Sequence, residues 1–128
     1  MDEYRKGWAL RYLREAKAEL EAARKIPYMA PGLVLEAIRK ARNAIYYSLG
    51  EPAFIEILIR EEVLKNPHTH DSLLRFLIEL ENVIQQMSQL EEVNSEAMMK
   101  QADSIVEIAT NIVEALTEER FQHLSSQQ

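Results

Sequence analysis

Apolar residues return in steps of three and four along almost the whole chain, and this period constrains the fold more than any other feature. From Glu3 to about Lys25 the stripe is Ala9, Leu13, Ala16, Leu20 and Ala23, with Trp8 and Tyr12 beside it. Its small members, Ala16 and Ala23, permit close approach of a partner helix. A second stripe, Val34, Ala37, Ile38, Ala41, Ala44 and Ile45, predicts a helix from about Leu33 to Leu49, with Gly50 placed to close it. Between the two, "IPYMAPG" carries two prolines and a glycine and reads as a loop.

The next segment, "AFIEILIREEVLK", is dense enough in large apolar residues to suit a buried strand. A short helix is the better reading: Glu51 and Pro52 suit a helix start, Glu61 and Glu62 charge its second half, and no other strand candidate exists to pair with it. Such a helix has apolar residues on more than one side, so it is a candidate for contact with another subunit. A fourth helix follows from Leu73, Leu77, Leu80, Ile84 and Met87, up to about Leu90. A fifth, capped by Asn94 or Ser95, follows from Met98, Ala102, Ile105, Ala109, Ile112 and Leu116, with Ile108 and Val113 widening its stripe. The expectation is an all-α antiparallel bundle of about five helices, a four-helix up-and-down core plus one short helix. It forms a single domain over residues 1–124, with a frayed tail at 125–128.

At 128 residues and 47% apolar content, one core of ordinary size is available. The net charge of −6 argues against a protein that holds nucleic acid, a DNA duplex included, by neutralising many phosphates, although local basic patches are compatible with it. Without cysteine there is no disulfide framework, thiolate metal site or cysteine nucleophile, which suits a reducing cytosol. No apolar signal region opens the chain and no run reaches the ~18 apolar residues of a membrane span. A cytoplasmic protein is expected.

The stretch "NPHTHD" concentrates chemistry: two of the three histidines, a proline and a carboxylate. Pro67 stops the third helix, and Asp71 is placed to cap the fourth by accepting from its free amides. His68 and His70 share a side only if the backbone is extended, and a metal would need a third ligand from elsewhere, so no metal is assigned. The doublets Glu61/Glu62, Glu91/Glu92 and Glu118/Glu119 lack the Glu-x-x-His partners of a carboxylate-bridged centre and read as solvated surface. No Gly-rich phosphate loop, nucleophile elbow or other catalytic set is present. Arg39, Arg42, Asn43 and Tyr46, at i, i+3, i+4 and i+7, form a polar stripe that could hold a phosphate and stack a base. The plainer reading pairs Arg39 or Arg42 with Glu36 or with the first helix.

Taken together, "YLREAKAELEAARK", "VLEAIRKARNAIYYSLGEPA", "HTHDSLLRFLIEL" and "ADSIVEIATNIVEAL" resemble, in order, the helices of the HEPN superfamily, small helical domains first described as nucleotide-binding in higher eukaryotes and prokaryotes. The resemblance covers nearly the whole chain. Many members are ribonucleases whose arginine and histidine are separated as Arg-x(4 to 6)-His on a late helix. Here His68 and His70 follow Arg60 by eight and ten residues, and His123 follows Arg120 by three, so no catalytic residue carries over. The resemblance implies the non-catalytic branch: a homodimer that binds a nucleotide or serves a nucleotidyltransferase or other protein partner, without a cofactor. Arg39, Arg42, Asn43, Tyr46 and His70 would then lie near the ligand. A divergent ribonuclease using His68, His70 or His123, and a purely structural interaction module docking through the third helix, are the alternatives.

Overall fold

The computed structural model describes residues 2–89 and 95–126, with side chains described at 2–89 and 96–117. Five helices carry the described chain: α1 (Glu3–Lys25), α2 (Ala30–Leu49), α3 (Pro52–Lys65), α4 (Ser72–Gln89) and α5 (Ser95–Ser126). No strand occurs among the described residues, and no helix among them is long and apolar enough to cross a membrane. The fold is an all-α helical bundle.

The α1 stripe is buried at all five expected positions, and so is every expected residue of the α2 stripe. α2 is the central element: it packs most extensively on α1 and also meets α3, α4 and α5. Its seam with α1 is lined by alanines, Ala9, Ala16, Ala37, Ala41 and Ala44, all fully buried, which lets the two backbones come close. The polar contacts record directions. Lys40 donates to Glu19 at 2.6 Å, and Trp8, near the start of α1, stacks on Tyr47, near the end of α2, so those helices run antiparallel. Arg42 with Glu81 and Arg39 with Ser88 make α2 and α4 antiparallel too, while Arg24 bound to Asp103 ties the end of α1 to the early part of α5.

Two boundaries differ in detail from the expectation, and one is as expected. A 3-10 turn over Pro27–Met29 runs directly into α2, which begins at Ala30 rather than Leu33. Pro31 is tolerated there because amides of the first helical turn have no intrahelical acceptor to lose. Gly50 closes α2 by donating its N–H to the Tyr46 carbonyl at 3.0 Å, with φ of 171°, an extended conformation open to any residue. An added Cβ would stand 3.1 Å from Ile55 Cδ1, so a side chain here would make the Ile55 side chain give by a few tenths of an ångström. The second difference is at the end of the chain, where α5 continues through Ser126, so the first half of the expected tail is helical. Asn94, one of the two expected α5 caps, lies outside the described residues.

The short third segment is a helix. Ile55, Ile59 and Val63 turn inward onto the bundle, while Phe54, Ile57, Leu58 and Leu64 stay exposed on its other side. The helix ends at Lys65 ahead of Pro67, and the Asp71 carboxylate accepts from the Leu74 N–H at 2.8 Å, capping α4 as its position suggested.

A candidate site at the seam of α2 and α4

Arg39, Arg42 and Tyr46 lie on the flank of α2 that faces α4, so most of the stripe belongs to a seam between helices. At its centre is Glu81. One oxygen of its carboxylate accepts from the Tyr46 hydroxyl at 2.9 Å and from Arg42 Nη1 at 3.1 Å, and the other lies 3.4 Å from the same nitrogen. The Arg42 guanidinium also sits 5.8 Å above the Tyr46 ring, a cation–π arrangement. Tyr46 is 2% exposed, so its ring has no open face for a base. Burial, reinforced by the charge of Glu81 and the hydrogen bond to it, raises the Tyr46 hydroxyl well above the ordinary tyrosine range. That hydroxyl is therefore a fixed donor at neutral pH and a poor acid.

Arg39 is more open. It reaches Ser88 Oγ at 3.4 Å and comes within 3.9 Å of Glu36, the neighbour the plainer reading named for it. Arg42 instead finds its carboxylate on α4, and its Nε is buried without a partner among the described residues. Asn43 is half-buried beside them. Glu81 is the functional residue that sequence reasoning missed. The signal was present: it stands four residues after Leu77 and three before Ile84, on the edge of the α4 apolar stripe, where a carboxylate needs a partner.

Tyr46 and Glu81 form the floor of a cleft of about 410 Å³ between α3 and α4, with Ile59 and Val63 on one wall, Asn82 and Gln85 on the other, and the outward-facing Leu64 at its edge. At its rim Arg60 donates to Glu56 at 2.7 Å. His70 belongs to a neighbouring depression of about 370 Å³, which it shares with His68, Arg75 and Glu79. Asn82 borders both hollows. The two histidines are exposed on either side of Thr69, whose buried hydroxyl accepts the Asp71 N–H at 3.2 Å. The five sequence candidates thus divide between a committed polar seam and an open loop. The side chain of His123 lies outside the described residues. Comparison with protein-family models, with curated proteins and with solved structures found no match.

Among the described residues no group of three or more histidines and carboxylates stands close enough to hold a metal ion. The seam offers no nucleophile set against a base: its hydroxyl is held protonated, and its carboxylate is shared by two donors, that hydroxyl and Arg42. What the arrangement does chemically is fix α4 against α2 beneath the cleft.

Proposed function

We propose that the protein is a non-catalytic, HEPN-like helical module that works as a homodimer, the outward face of α3 forming the contact. The observation that carries this reading is the pattern of exposure on that helix. Phe54, Ile57 and Leu58 are 61%, 53% and 43% exposed at i, i+3 and i+4, and Leu64, two turns beyond Ile57, is 84% exposed. Large apolar side chains grouped on one exposed helix face mark a surface meant to be covered. The HEPN resemblance supports pairing with a second copy, and a dedicated protein partner such as a nucleotidyltransferase is the competing occupant.

A nucleotide-binding role for this module is carried by Arg39, Asn43 and the loop around His70, because Arg42 and Tyr46 are engaged by Glu81. Arg39 and Asn43 lie on the outer edge of the α2–α4 seam, where phosphate oxygens can reach donors, whereas the His70 loop stands at the opposite end of α4 from Ser88, the partner of Arg39, and would make a separate contact.

Sedimentation or native mass spectrometry of the wild type against a Phe54→Glu, Leu58→Glu double variant tests the reading. A dimer that becomes a monomer with unchanged helicity is the expected result. A wild-type monomer at tens of micromolar, or a dimer indifferent to both charges, would sink the α3 contact. Substitutions at Ile55 or Ile59 would not serve, since both face the core and their loss would unseat the helix itself.

A further inference from the structure

A second surface, on α1, has a composition at odds with the rest of the molecule. From Tyr4 to Arg14 the sequence holds Arg5, Lys6, Arg11 and Arg14 and no acidic residue, in a chain of net charge −6. Arg5 is engaged by Asp2 and Arg11 is paired with Glu15 at 3.4 Å, whereas among the described residues Arg14 forms no ion pair. Tyr4, Gly7, Trp8 and Arg11 fall at i, i+3, i+4 and i+7, one face of the helix, and Arg14 continues the row that runs through Gly7.

The rings on this face are held in place. Trp8 stacks on Tyr47 at 6.1 Å and 15°, and Tyr47 in turn stacks on Tyr12 at 5.6 Å and 25°. Arg11 lies over Trp8, 4.8 Å from the ring centroid. Tyr4 leans edge-on against Trp8 at 6.4 Å yet is 69% exposed. The block therefore presents one exposed aromatic ring, leaning on a stacked tryptophan with a cation beside it, an arrangement suited to receive an unpaired base.

Gly7 supplies the independent observation. Glycine in a helix interior is unfavourable, and a Cβ added at this position would meet nothing within 4 Å, so internal packing gives no reason for it. It leaves bare backbone between Tyr4 and Arg11, where a flat ligand can lie directly on the helix. We propose that this face binds single-stranded nucleic acid: a base stacks on Tyr4 over Gly7, and the adjoining phosphates are drawn to Arg11 and Arg14. The proposal is independent of the α3 contact, which lies on a different element.

Trp8 is the only tryptophan, so its fluorescence reports on this face directly. Oligo(U) and oligo(dT) of about ten nucleotides, titrated at about 50 mM salt, should each give a saturable change that weakens as salt rises. A duplex of the same length, its bases already stacked, should give none. Tyr4→Ala should weaken binding roughly tenfold or more. Gly7→Ala should weaken binding while raising the unfolding temperature, a combination that a purely structural role for glycine does not produce. Arg11→Gln with Arg14→Gln should flatten the salt dependence, and Arg60→Ala, on α3, should change nothing. Stronger binding of one oligonucleotide would assign RNA or DNA as the natural strand. Absence of any saturable change with both, or affinity unaltered by Tyr4→Ala and Gly7→Ala, would overturn the proposal.

Discussion

The hydroxyl of Tyr46 donates to Glu81 across the α2–α4 seam at 2.9 Å, joining a buried ring to a carboxylate that Arg42 also holds. Removing the hydroxyl leaves Glu81 with its arginine, so Tyr46→Phe should cost about 1 kcal/mol. Removing the carboxylate orphans both donors, one of them on an arginine whose Nε is already unpartnered. Glu81→Ala should therefore cost more, about 2 kcal/mol, with part of the loss relieved by the water that reaches Glu81. Urea unfolding of both variants checks the order; equal losses would mean that the arginine contributes nothing at this position.

Stability should also depend on alkaline pH through the same residue. Tyr46 ionises higher in the folded chain than its ordinary 10.0 because burial and Glu81 oppose the phenolate. Above about pH 10 the unfolded chain releases this proton while the folded chain keeps it, so the folded state binds more protons and stability falls as pH rises, by at most about 1.4 kcal/mol per pH unit. Lys40, raised chiefly by its hydrogen bond to Glu19, acts in the same direction at higher pH. Below pH 10 the contribution of Tyr46 is complete. The gap between wild type and Tyr46→Phe should then narrow as pH is raised past 10, which denaturant midpoints measured in that range would reveal.

Gly7→Ala should stabilise the protein by about 0.5 to 1 kcal/mol, since the position is helical, open and exposed. Thermal unfolding measures it directly. A loss of stability would mean that the Tyr4, Trp8 and Arg11 surface has no room for a methyl group.

The alanine seam leads to the opposite sign. Ala41 is fully buried in the central helix, and Ala41→Leu forces three extra carbons into a close-packed contact. A loss of about 1 to 3 kcal/mol, with the near-ultraviolet circular dichroism weakened more than the far-ultraviolet signal, is expected. Unchanged stability would imply a loosely packed centre.

Much of this architecture is legible in the sequence. The stripes of α1 and α2 were readable because a helix face is a local property, set by residues three and four apart, and Asp71 was readable because capping needs only the first turn it faces. Pro31 was misleading: a proline reads as a loop in isolation, and only the turn over residues 27–29 leading into it shows that it opens a helix. Gly50 was readable as a stop, but its nearness to Ile55 belongs to the packing of α3. The polar stripe of α2 was legible as a pattern and its fate was not. Whether Arg42 and Tyr46 would meet solvent or a carboxylate depended on Glu81, thirty-nine and thirty-five positions away.

The sequence by itself determined the helical class, the number of helices and most of their ends, because hydrophobic period, proline placement and capping act over a few residues. Tertiary structure alone decided which charges neutralise one another, which aromatic rings are braced on α1, and that Phe54, Ile57 and Leu58 remain uncovered while Ile55 and Ile59 do not. Those outcomes rest on distances between segments far apart in the chain, which no local pattern encodes.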